Sequence, residues 1–414
     1  MMYTPSVPTI SRPLREAAAA SVARQSHVPG VDGLRCFAVL AVMLFHVGMS
    51  KTGWAGVWLF FVISGFVITR SLMANAALGL PAKELFRRFY LKRSFRILPL
   101  YLGSISAFTL VILSFASERG EKLDHLPWLL TFTYNFYRLD SDYVPNDFFG
   151  HFWSLSVEEQ FYFVYPALLV LLGIARLRYA LIAALVAAPL IRLMVSLIYG
   201  AITPEELDVN RAFWRGNAVY QFGLTQFDAF AIGALIALNE RRIRASDHAF
   251  PAVASVALGA LAIYAAIYLP VFGGIKWAFH VNIDGHYAQV WLYSVLDLLA
   301  AALLIAVLTE CRPVLWLCTR KIPQYLGRIS FGIYVFHLPI IGVIGERSRP
   351  LLHRFFQGSG LPFLDTSLVR VILFGGLSVL VAHLSYSHYE RPLMKFGDRL
   401  IHRSAPAAVR TASK

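Results

Sequence analysis

The stretch "GLRCFAVLAVMLFHVG" (Gly33–Gly48) is apolar at nearly every position, yet it carries Arg35 and His46. A run of this kind suits a membrane crossing, because about 20 apolar residues span a hydrocarbon core of roughly 30 Å while bonding every backbone group internally. An arginine and an imidazole inside such a run are costly in lipid, so each needs a partner, a cavity or an interface.

The same composition extends outward along the chain. Of 414 residues, 57% are hydrophobic and only 15% are charged. A soluble chain of this length cannot enclose so much apolar surface, since cores stop growing and chains divide into polar-coated domains. The net charge of +14 lies beside the apolar spans and forms no separate basic domain. That placement argues against a nucleic-acid partner and fits anchoring to an anionic leaflet. The three cysteines, Cys36, Cys311 and Cys318, match neither a disulfide framework nor a metal site, and no metal is expected.

About ten spans are legible, near 31–50, 54–72, 97–116, 160–175, 179–199, 219–239, 250–271, 289–309, 329–346 and 366–386. The segment Leu126–Tyr137 ("LPWLLTFTYNFY") is too short to cross and reads as interfacial or re-entrant. The Arg-dotted N-terminus lacks an apolar run long enough for a cleavable leader. Lys and Arg collect in alternate loops (Arg70 to Arg96, Arg241 to Arg244, Arg312 to Arg328), while the intervening loops carry Glu118, Glu121, Asp124, Asp140, Asp142, Asp147, Glu205, Glu206 and Asp208. By the positive-inside rule both termini are cytoplasmic. The expected fold is therefore an all-α integral membrane protein of one domain. Residues 1–28 form a cytoplasmic N-terminal segment, 29–393 the transmembrane domain and 394–414 a cytoplasmic tail.

Arg35 and His46 are eleven residues apart, close to three turns, so they share a helix face about 16 Å apart along the axis. Arg35 falls near the cytoplasmic end, where the plain reading is a snorkelling anchor. His46 falls near the outer end, with function and a satisfied structural role evenly matched. In "RRFYLKRSFRILPLY", Arg93 and Arg96 lie three apart on one helix face, a spacing that suits bidentate recognition of phosphate. In "FFGHFWSLSVEEQFYFVYP", Glu158 and Glu159 sit at a span mouth, where helix capping competes with a role as base or histidine partner. "LGRISFGIYVFHLPI" brings Ser330, Tyr334 and His337 into a span, with a core histidine the plainer reading of His337. Glu390 and Arg391 in "SHYERP" read as a helix stop. Asp228 and Asp297 are intramembrane, placed to line a polar cavity or to pair with Arg192.

In this order, "GVDGLRCFAVLAVMLFHVG", "FFVISGFVIT", "RSFRILPLY", "WSLSVEEQFY" and "ISFGIYVFHLP" resemble the membrane-bound acyltransferase 3 family, whose bacterial members O-acylate sugars and polysaccharides. The resemblance covers roughly residues 29 to 393. It maps an Arg-x10-His pattern onto Arg35 and His46, an Arg-x-x-Arg pattern onto Arg93 and Arg96, and a Trp-Ser-Leu-x-x-Glu pattern onto Trp153 through Glu158.

It implies transfer of an acyl group, usually acetyl from cytoplasmic acetyl-CoA, to a hydroxyl of a cell-envelope or exported carbohydrate. The setting it implies is the bacterial inner membrane. On this reading Arg93, Arg96 and Arg35 hold the acyl-CoA. His46 is the general base, with an acyl-histidine relay left open, and Glu158 orients it at the outer face. Ser154, Tyr334, His337 and Asp228 are further candidates for the substrate cavity. The rival readings are a proton-coupled secondary transporter and a sugar-lipid flipping protein. The chain shows no inverted repeat to favour the transporter.

Overall fold

The computed structural model describes residues 28–77, 79, 81–115, 119–140, 143–202, 208–359 and 366–403. Residues 1–27 and 404–414 of the expected terminal segments lie outside these, as do Glu118, Asp142, Glu205 and Glu206. Among the described residues the regular elements are helices, without strands.

The main helices are α1 (Pro29–His46), α2 (Gly56–Ala77), α3 (Ala82–Phe115), α4 (Trp153–Ile202), α5 (Asp208–Gln221), α6 (Phe227–Leu238), α7 (Ala249–Phe272), α8 (Ala288–Leu308), α9 (Lys321–Arg328), α10 (Ser330–Leu338), α11 (Gly376–Ser385) and α12 (Arg391–Arg403). A proline opens α1, where its missing N–H removes no helical bond.

Seven helices are long and apolar enough to cross a membrane, or up to nine if each of two bent pairs is one span. The expected span 219–239 is one such pair, Arg215–Gln221 and Gly223–Leu238, bent by 70°. The expected span 329–346 is the other, Lys321–Arg328 and Ser330–Gly345, bent by 66°. The expected spans 160–175 and 179–199 both fall in one helical stretch, Gly150–Ala201, interrupted at Gly173 with φ 67° and ψ 168°. Ten separate spans are thus not matched one for one. Hydropathy averages over a window, whereas a bend is set by one or two backbone dihedrals.

The stretch 126–137 folds as two short helices, Leu126–Leu130 and Tyr134–Tyr137. Leu129 and Tyr134 are fully buried, and the Tyr101 hydroxyl donates to the Leu129 carbonyl at 2.8 Å. The segment is packed into the bundle.

Close helix contact comes from small residues. A Cβ on Gly65 of α2 would overlap the Phe230 carbonyl oxygen of α6, and one on Gly233 of α6 would overlap the Val62 carbonyl oxygen of α2. Each glycine lets the other backbone approach, which is how helices pack where lipid removes the hydrophobic drive. Phe230 stacks between Phe61 at 4.7 Å and Phe161 at 4.4 Å, joining α2, α4 and α6. By contrast α7 exposes Val256, Leu258, Ile263 and Ile267, an apolar surface suited to contact with lipid.

Candidate active site

Inside this bundle a cavity is lined by α1, α2, α3, α4 and α10. Arg35 comes from α1, Ser64 from α2, Arg93 and Arg96 from α3, and Ser154, Glu158, Glu159 and Tyr162 from α4. Ser330 and Tyr334 come from α10. Helical spacing explains the convergence: Ser154, Glu158 and Tyr162 are four apart along α4, and Arg93 and Arg96 three apart along α3, so each set shares a face.

The Arg35 Nε–H donates to Ser330 Oγ at 3.1 Å, and its guanidinium lies 6.0 Å from the Phe60 ring centroid. Arg93 lies 5.3 Å from the centroid of Tyr162. The hydroxyls of Ser64 and Tyr162 both donate to Glu158 Oε1. Among the described residues none of Arg35, Arg93 and Arg96 belongs to an ion pair. Three guanidinium groups and two carboxylates, Glu158 and Glu159, line one cavity, and guanidinium forks of this kind can match phosphate or carboxylate oxygens.

His46 does not line this cavity. It belongs to a cluster of three imidazoles. His46 and His337 have ring centroids 4.9 Å apart, and His337 and His151 5.1 Å. His337 Nε2 lies 3.2 Å from His46 Nδ1. Tyr334 and Ser154 stand at the border between cluster and cavity. Their hydroxyls are 2.5 Å apart, both line the cavity, and the Tyr334 hydroxyl donates to the His151 carbonyl at 3.0 Å. Among the described residues no group of three or more His, Cys, Asp or Glu side chains is arranged to hold a metal ion.

The structure therefore brings together Arg35, Arg93, Arg96, Glu158, Ser154 and Tyr334, all six expected at a site. It does not bring Glu158 to His46. Glu158 shares the cavity with Arg35 and accepts from Ser64 and Tyr162, whereas His46 lies outside that cavity. The histidine's neighbour is His337 instead. Arg35 is a wall of the cavity and not a free anchor.

Asp228 is displaced from the site altogether. Arg192, fully buried, donates to Asp228 Oδ2 at 2.5 Å, to Ser294 Oγ at 2.8 Å and to the Thr225 carbonyl at 3.0 Å, with Asp297 at 3.9 Å. This node ties α4 to α6 and α8.

Sequence reasoning missed Ser64, Tyr162 and His151. Tyr162 was legible as the residue four beyond Glu158. Ser64 stands as a lone hydroxyl among apolar neighbours, and His151 stands just before the "WSLSVEE" stretch.

Comparison with known proteins adds an independent finding. Residues 28–386 match the family described as "Acyltransferase domain". The chain is 29% identical over 394 residues to "Putative peptidoglycan O-acetyltransferase YrhL" of Bacillus subtilis (strain 168), covering 91% of this chain and 56% of that protein. It is 25% identical over 395 residues to "Peptidoglycan O-acetyltransferase OatA" of Listeria monocytogenes, covering 90% and 57%. A "Putative O-acetyltransferase" of Staphylococcus aureus (strain COL) is 23% identical over 401 residues, covering 91% and 59%. The chain thus spans somewhat over half the length of these curated relatives. No solved structure matches it.

Proposed function

The chain belongs to the acyltransferase domain family, and from that premise we propose that it O-acetylates a cell-envelope carbohydrate. Peptidoglycan is the acceptor to which the relatives' names point. The observation that carries the reading is the membrane-embedded cavity walled by Arg35, Arg93 and Arg96 together with Glu158. The relatives' names leave the donor open, and we assign it as acyl-CoA: its phosphates offer a ligand for the arginine pair on α3, and its thioester supplies the acetyl group.

In this mechanism the acyl carbon passes the Ser154–Tyr334 border toward His46. Neutral His46 takes the proton of the acceptor hydroxyl as that oxygen bonds the acyl carbon. The C–S bond breaks, and the imidazolium returns the proton to the departing thiolate. Glu158, removed from His46, acts at the donor end, where its charge and hydroxyl partners order the arginine wall.

The same reading places residues 29–393 in a bacterial inner membrane with both termini cytoplasmic. The 52-residue stretch Gly150–Ala201 supports counting two crossings, one on either side of Gly173. At about 1.5 Å per residue it would otherwise run more than twice the roughly 30 Å of a hydrocarbon core. With both bent pairs taken as spans, the count returns to ten.

The test is direct. Protein purified in detergent is titrated with CoA by calorimetry and assayed for release of labelled acetyl from acetyl-CoA onto peptidoglycan fragments. Binding that is lost in Arg93→Ala/Arg96→Ala, with transfer abolished in His46→Ala while CoA binding persists, is the expected result. Normal CoA binding by the double arginine variant overturns the donor assignment. Normal transfer by His46→Ala overturns the base.

A further inference from the structure

The three-imidazole cluster has a hydrogen-bond polarity that its carbonyl neighbours dictate. His337 Nδ1 lies 2.6 Å from the Tyr334 carbonyl oxygen. A carbonyl only accepts, so Nδ1 carries the proton and the Nε2 of neutral His337 is a bare lone pair. His46 Nδ1 lies 3.0 Å from the Val42 carbonyl oxygen, a second acceptor that favours a proton on the same nitrogen. The two constraints agree: the 3.2 Å contact between the rings is His46 Nδ1–H shared between Val42 and His337 Nε2. Nothing is then left for His46 Nε2 but the unprotonated form.

Burial supports the direction. His337 is fully buried and His46 half-buried, so the inner ring is the fixed one and the outer ring is the one with access. His337 is locked from a third side by His151, whose ring meets it at 74° and whose Nε2–H donates to the Val335 carbonyl at 3.0 Å. Both α10 carbonyls belong to the same turn, so ring orientation is built into the helix that also carries Tyr334.

We propose that His337 is a positioning residue that accepts the His46 Nδ1–H and so presents His46 Nε2 bare to the acceptor hydroxyl. This rests on His46 being the base of the proposed transfer. It gives His337 the place that sequence reasoning assigned to Glu158. As His46 takes a proton on Nε2, its Nδ1–H becomes a stronger donor, and the His337 lone pair stabilises the imidazolium as it forms.

The experiment uses the whole 414-residue chain labelled with ¹⁵N-histidine, in lipid nanodiscs and in cells, where O-acetylation is read as base-released acetate from purified peptidoglycan. The His46 resonances are those lost in His46→Ala. Wild-type protein should show His46 protonated on Nδ1 and bare on Nε2. His337→Leu should move His46 toward the other tautomer and lower released acetate about tenfold or more, within the range of a general base. His337→Gln, whose side-chain oxygen replaces the Nε2 acceptor, should restore both readouts.

A proton on Nε2 of wild-type His46 overturns the proposal without any variant having to fold. So does an unchanged tautomer in a folded His337→Leu protein. Full acetate release by His46→Ala overturns the catalytic half, and the resonance measurement distinguishes that outcome from a missing hydrogen bond.

Discussion

At the scale of single residues, the two adjacent acids of α4 separate. Glu158 receives the Ser64 and Tyr162 hydroxyls, whereas Glu159 lines the same cavity without a hydrogen bond among the described residues. Hydrogen bonds to a charged group are worth about 1.5–3 kcal/mol each, and about 1.4 kcal/mol is tenfold in an equilibrium. Glu158→Gln should therefore reduce acetyl transfer by about tenfold or more. Glu159→Gln should lose less, because it gives up no hydrogen bond among the described residues. Rates of labelled-acetyl transfer by the purified variants check this, and a larger loss at Glu159 would reassign the role. The family pattern in "WSLSVEE" singles out Glu158 over Glu159 in the sequence. Its partners were not legible there, since Ser64 lies on another helix.

At the scale of helices, packing makes the sharper demands. Gly65 and Gly233 each admit the backbone of the other's helix, so Gly233→Leu forces α2 and α6 apart, at a cost of about 1–3 kcal/mol or more for overpacking. Gly259 of α7 is the contrast. A Cβ there meets nothing within 4 Å, and Gly259→Ala should hold or raise stability by about 0.5–1 kcal/mol, the usual gain of alanine over glycine in a helix. Thermal unfolding in one detergent ranks the two, and equal melting temperatures would contradict the packing.

The Arg192 node gives a second pair of variants. Asp228 holds the guanidinium at 2.5 Å and Asp297 stands off at 3.9 Å. Asp228→Asn leaves a buried cation short of its nearest counter-charge, a loss of about 3–5 kcal/mol, whereas Asp297→Asn keeps the main pair and should cost far less. The same unfolding measurement decides between them.

At the scale of the whole molecule, the prediction concerns sidedness. The positive-inside reading puts Lys83 at the cytoplasmic face and Tyr287, between α7 and α8, at the outer face. Both residues are exposed, so a cysteine at either site is open to reagent. With the half-buried Cys311 replaced by serine, Tyr287→Cys should react with an impermeant maleimide in intact cells. Lys83→Cys should react only after permeabilisation. Reversed labelling would invert the molecule and move the arginine cavity to the wrong side for a cytoplasmic donor.

The sequence by itself determined the solvent, the helical class and the acyltransferase family. Hydropathy over about 20 residues is a property of the segment alone, and helical spacing already places Arg93 with Arg96 and Ser154 with Glu158 on common faces. Only the tertiary structure decided which of these faces meet. The bends before α6 and α10 and the break at Gly173 are each set by a few backbone dihedrals that no hydropathy window registers. Those few angles put Glu158 with the arginines and His337 with His46, residues 291 apart in the chain. A long-range contact of that kind depends on how every intervening helix packs, so it is written in no single stretch of the sequence.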